Sequence, residues 1–134
     1  MNYYISTTLT QPFDKSIEMV IEALKIEGFG VLADIDVQST MKTKLNVDFR
    51  KYRILGACNP PFALKALEAE DKIGVFLPCN VIVQERDSGT VEVSAVDPVS
   101  SMQAVDNEVV ESVAEEIREK LKLVIAALEK GKKL

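Results

Sequence analysis

Hydrophobic and polar positions follow two periods along the chain, and each change of period marks a new element. Residues 2–8 (Asn-Tyr-Tyr-Ile-Ser-Thr-Thr) are rich in aromatic and β-branched types and read as a first strand. Pro12 sits where a helix can begin, because the first turn has no use for its missing N–H. Phe13, Ile17, Val20, Ile21 and Leu24 then recur at helical spacing, and Gly28 and Gly30 are expected to end that helix. Val31, Ala33, Ile35 and Val37 alternate with Leu32, Asp34 and Asp36, the pattern of a half-buried strand. Ser39 is a candidate cap for a short helix carrying Met41 and Leu45, with Asn46 as its left-handed stop.

Tyr52–Cys58 reads as a more fully buried strand, broken by Pro60-Pro61, and Phe62–Ala69 is an Ala/Leu-rich helical stretch. Proline holds the residue before it extended, so this helix is expected to start near Pro61, with Cys58 just outside its N-terminus. Ile73–Leu77 and Val81–Gln84 are apolar runs that read as strands, separated by Pro78-Cys79-Asn80. Asp87-Ser88-Gly89 forms a turn and Thr90–Val96 alternates cleanly, which predicts a hairpin. Asp97-Pro98 closes that strand. In the last segment Val110, Val113, Ile117, Leu121, Val124 and Leu128 form one apolar helical stripe. Asp106, Glu108 and Glu111 lie at its start and Lys130, Lys132 and Lys133 at its end, an order that complements the helix dipole. The acidic half is therefore a solvated helix face.

The order β-α-β-(short α)-β-α-β-β-α contains no linker, repeat or low-complexity stretch. It predicts one α+β domain over residues 1–134, a single, mostly antiparallel sheet with the two longer helices on one face. Such a sheet leaves one face and its edges uncovered, which a homodimer would cover.

Composition narrows the chemistry. The 134 residues carry a formal charge of −5, and basic residues cluster only in short groups at Lys42–Lys44, Arg50–Arg53 and Lys130–Lys133, so nucleic acid is not an expected partner. No apolar run approaches a membrane span, and Met1–Ile5 lacks the basic start and apolar stretch of a secretory leader; a cytoplasmic protein is expected. Histidine is absent, which excludes Ser-His and Cys-His nucleophiles, imidazole proton shuttles and His-ligated metals. The two cysteines, Cys58 and Cys79, are expected as free thiols.

Each cysteine precedes an asparagine beside a proline: Gly56-Ala57-Cys58-Asn59-Pro60-Pro61 and Leu77-Pro78-Cys79-Asn80-Val81. Cys58 at a helix N-terminus suits a thiol used in redox, covalent or soft-metal chemistry, whereas free cysteine is equally a common core residue. If the two sulfurs meet, they could form a reversible disulfide or bind a soft ion such as Cu(I) or Zn(II), although two thiolates do not complete a tetrahedral site. Asn59 and Asn80 either bond to backbone at turns or orient a ligand. Asp34 and Asp36 share a strand face, either as a carboxylate pair or as that strand's polar side. Gly28-Phe29-Gly30 lacks the rest of a dinucleotide-binding pattern.

The run Tyr52-Arg53-Ile54-Leu55-Gly56-Ala57-Cys58-Asn59-Pro60, with Ala63, Ala66-Leu67, Gly74, Leu77-Pro78-Cys79-Asn80-Val81, Glu85, Gly89 and Asp97-Pro98, closely resembles the bacterial and archaeal domain-of-unknown-function family numbered 302. The resemblance spans nearly the whole chain. It implies a small α+β fold of the β-α-β(4)-α type, often homodimeric, with a pattern centred on Cys58, Asn59, Pro60, Pro78, Cys79, Asn80 and Asp97. It brings no established activity. A typical member is expected to carry glycine at position 46; asparagine tolerates the same left-handed turn. The leading expectation is a dimeric small-ligand- or soft-metal-binding, sensor-like domain with a pocket framed by the two Cys-Asn segments, with Cys58, Asn59, Pro60, Cys79, Asn80 and Asp97 at the site. The alternatives are a thiol-dependent enzyme using Cys58, with Asp97, a lysine or the helix dipole in place of a base, and an assembly module whose cysteines are core.

Overall fold

The computed structural model describes residues 2–131. Five strands form one antiparallel sheet in the order β1-β5-β4-β3-β2. They are β1 (Tyr4–Leu9), β2 (Gly30–Asp36), β3 (Tyr52–Cys58), β4 (Cys79–Glu85) and β5 (Val91–Val96). Helices α1 (Phe13–Ile26), α2 (Val37–Leu45), α3 (Pro60–Ala69), α4 (Pro98–Ser101) and α5 (Glu108–Gly131) complete the fold. The antiparallel β4–β5 hairpin and the long terminal helix match the sequence reading, and the β-α-β(4)-α succession matches what the resemblance implies.

The core lies between the sheet and the α1–α5 pair. Val81 and Val83 of β4, Val91, Val93 and Ala95 of β5 and Leu55 of β3 all point the same way, and each is fully buried. Residues two apart on a strand share a face, so the intervening Asn80, Ile82, Gln84, Glu92 and Ser94 lie on the other face. Leu24 and Val20 of α1 and Leu121 and Val124 of α5 close the core from the helix side. The α5 stripe is buried along its length, from Val110 to Leu128. Asn107 caps α5, its Oδ1 accepting from the N–H groups of Val109 and Val110 (3.0 and 3.2 Å). Lys132 and Lys133, expected at its C-terminus, lie outside the described residues.

Four local expectations are corrected. Ile73–Leu77 is not a strand: Asp71–Phe76 forms a 3₁₀ turn, with the Glu70 carboxylate accepting from Lys72 N–H. The turn needs one anchor, and Ile73 supplies it while Val75 stays exposed. β2 is not half-buried, because it is the outer strand of the sheet: Val31 is partly buried but Leu32 and Ile35 are exposed. The cap of α2 is Asp36, which accepts from Ser39 N–H at 3.0 Å, rather than Ser39 itself; Asn46 is left-handed as expected. Of the two glycines after α1, only Gly28 has a positive φ (88°), and Gly30 already belongs to β2.

Candidate functional site

The two cysteine segments lie side by side where β3 ends and β4 begins. Cys58 closes β3, Asn59 is the N-cap of α3, and Pro60 and Pro61 fill the first turn, where two missing N–H groups cost nothing. On the neighbouring strand, Pro78 follows Leu77 through a cis peptide bond and Cys79 opens β4, paired with Ala57. The Pro78 ring lies over Gly56: a Cβ built on that glycine would sit 2.7 Å from Pro78 Cγ. The sequence requires glycine there because the proline occupies the side-chain space.

Both cysteines line one pocket of about 300 Å³ between α3, the strand ends and α5. Phe29, Leu32, Phe62, Leu67, Leu77 and Met102 make up much of its wall. Cys79 is buried at its base and Cys58 is half-buried. Burial, aided by the nearby Cys58, pushes the Cys79 thiol up to about 11. Cys79 is therefore a protonated, apolar lining group at neutral pH, and any thiol chemistry here falls to Cys58. Among the described residues, no three acidic, cysteine or histidine side chains gather as a metal-ligand set.

The two asparagines part company. Asn59 is buried, and its Nδ2 donates to the carbonyl of Glu27 at the end of α1 (3.1 Å), which ties α1 to the β3–α3 junction. Asn80 follows Cys79 on a strand, so it projects from the opposite face of the sheet and lines a different depression. The expected pocket between two Cys-Asn segments thus keeps the cysteines and Asn59 and loses Asn80. Pro60 is exposed at the start of α3 and does not line the pocket. Asp97 is not a lining group either: its Oδ1 accepts from Val99 N–H at 3.0 Å and caps α4. The aspartate pair is also structural. Arg53 forms an ion pair with Asp34 and holds its carboxyl below the usual range, while Asp36 caps α2.

Sequence reading missed a polar cluster on the open face of the sheet. Gln84 is only 6% exposed. Its Oε1 accepts from Arg50 Nε and Arg86 Nη1, both at 2.9 Å, and its Nε2 donates to Glu92 Oε1 at 3.1 Å. The one signal in the sequence is a glutamine closing the apolar run Val81-Ile82-Val83; Arg50 lies too far along the chain to be assigned to it.

Among the described residues, no helix is long and apolar enough to cross a membrane. No curated protein is significantly similar to the chain. A crystal structure of the uncharacterized conserved protein DUF302 from Bacillus stearothermophilus superposes with a TM-score of 0.87 at 27% identity, covering 94% of this chain and 98% of that one. The sequence itself matches the domain of unknown function DUF302 over residues 5–128. The shared fold and that match across both cysteine segments place the chain in the DUF302 family.

Proposed function

We propose that this domain binds a small, mainly apolar molecule in the cysteine pocket, with Cys58 as the one reactive group in its wall. The observation that supports this reading is a cavity of about 300 Å³, at the lower end of ordinary ligand sites, lined by aromatic and aliphatic side chains beside a half-buried thiol. Leu32 and Leu67 line the pocket and remain 72% and 41% exposed. Val75, at 81%, extends this apolar surface in sequence beside the lining residue Gly74. The same rim is the surface we assign to a second copy of the chain, since exposed apolar side chains grouped around a cavity favour contact with a partner.

A redox or covalent role for Cys58 is the second reading, supported by its position directly before the N-cap of α3. A soft ion held by Cys58 and Cys79 would need further ligands, which a second protomer would have to supply.

The test is binding of a neutral, environment-sensitive apolar dye such as N-phenyl-1-naphthylamine to the native protein. Saturable binding is expected, and blocking Cys58 with N-ethylmaleimide should abolish it. Ala63→Phe, which fills the pocket from α3, should do the same while circular dichroism stays native. Dye binding that survives both changes would overturn the reading. Sedimentation equilibrium tests the dimer: Leu32→Glu is expected to shift the protein to monomer, and an unaltered mass would refute the assigned surface.

A further inference from the structure

The Gln84 cluster lies on the face of the sheet opposite Cys79 and the core, and its geometry leads to a separate conclusion. Gln84 has one acceptor oxygen and one donor nitrogen. The Glu92 carboxylate can only accept, so it takes the amide N–H and fixes the carbonyl oxygen toward the arginines. That oxygen draws Arg50 and Arg86 onto one point. Two like charges are thereby held together on a neutral group, and among the described residues neither guanidinium forms an ion pair with a carboxylate. Arg50 is further oriented by lying over the rings of Phe49 (4.5 Å) and Tyr52 (5.4 Å). Each guanidinium has five N–H groups and gives one to Gln84. The others remain free to receive an anion with more than one oxygen.

The surface beside this cluster is shaped as well as charged. A depression of about 390 Å³ runs along the open face from an end lined by Arg86, Gln84 and the Glu92 carboxylate, with Arg50 beside that end through its bond to Gln84. Ile82 and Val96 give it an apolar floor, Asn80 adds an amide, and Tyr3 and Tyr4 stand at its far end with their rings edge to face, 5.0 Å apart. We propose that this face binds an organic anion: a phosphate or carboxylate held by Arg50 and Arg86, carried on an apolar or aromatic body that lies over Ile82 toward Tyr4. Gln84 acts as a positioning residue that holds the two cations together.

Three probes separate the parts of the proposal: phenyl phosphate, benzoate and inorganic phosphate, each titrated calorimetrically into the wild-type chain. Phenyl phosphate or benzoate should bind saturably, and the tighter of the two identifies the anionic group. Inorganic phosphate should bind more weakly than phenyl phosphate because it lacks the apolar body. Arg50→Met and Arg86→Met remove exposed side chains, so the fold should survive. Each is expected to weaken binding about tenfold, the usual worth of a charge-assisted hydrogen bond. Raised salt should weaken it further. Protein blocked at Cys58 should bind equally well, which keeps this site distinct from the cysteine pocket. Three results would overturn the proposal: no saturable binding of any probe, affinity unchanged in both arginine variants, or binding lost when Cys58 is blocked. Equal affinity for inorganic and phenyl phosphate would overturn the apolar subsite.

Discussion

Gly56→Ala is the most direct test of how the cysteine pocket is built. The new methyl would lie 2.7 Å from Pro78 Cγ and 3.3 Å from Ala33 Cβ. Unstrained carbon contacts are about 3.5–4.0 Å, so Pro78 must retreat by roughly 1 Å. Its five-membered ring cannot swing aside as a longer side chain would, so the movement passes to the backbone between Leu77 and Cys79. Overpacking of this kind costs about 1–3 kcal/mol. Replacing a strand glycine recovers about 0.5–1 kcal/mol of chain entropy, which leaves a net loss of about 0–2.5 kcal/mol, and the severity of the 2.7 Å approach places it in the upper part of that range. For a domain of this size that lowers Tm by roughly 3–10 °C. Gly30→Ala is the control: it lies in the adjacent strand with nothing within 4 Å of a built Cβ, so its effect should be neutral or slightly stabilising. Urea unfolding gives the free energies, and maleimide labelling of Cys79 in the native state reports whether Pro78 has moved. The reasoning fails if the two alanine variants are equally stable, or if Gly56→Ala is destabilised with Cys79 labelling unchanged.

Three further outcomes are expected. Cys79 should label far more slowly than Cys58 in the native protein and at a similar rate in denaturant, as timed mass spectrometry would show. Its thiol is raised from 9.0 to about 11 in the folded chain, so between those values the unfolded state loses its proton first; stability is intact below about pH 9 and should fall by roughly 2–3 kcal/mol toward pH 11, measured by denaturant titration. Asn59→Ala leaves the Glu27 carbonyl without its donor and should cost about 1–2 kcal/mol, with hydrogen exchange accelerating at the end of α1. Asp34→Asn should cost less than about 1 kcal/mol because the pair with Arg53 is partly solvated; the wild-type contribution holds above the ordinary carboxylate range and fades as acid protonates Asp34, so the two proteins should converge at low pH.

The elements that were legible in the sequence are those whose period carries the information. The α5 stripe and the β4–β5 hairpin fall within a residue or two of their expected bounds. Burial was less legible, because it depends on where an element ends up. The alternation in β2 is real, but that strand is at the edge of the sheet and its apolar side chains find little to cover them. Ile73–Leu77 is five apolar or small residues long, too short for its period to distinguish strand from helix. Part of the site was legible: the cysteines were flagged by type and position, and they do share a pocket. The division of Asn80 from Cys79 follows from strand alternation once β4 is known to begin at Cys79 rather than Val81. The convergence of Arg50 and Arg86 on Gln84 could not be read locally, because it arises from tertiary folding.

The outer edge of β2 has a consequence for how copies of this chain can meet. An unpaired strand invites another to add alongside, and repetition of that step builds fibres. Here the pairing of β2 with β3 shifts register between Val31 and Ala33, which twists the ribbon away from a flat template. Beyond that irregularity stand Asp34 and Asp36. A second β2 laid antiparallel against the first would bring these carboxylates near their counterparts. The same strand that exposes Leu32 therefore resists open-ended growth along this edge of the sheet.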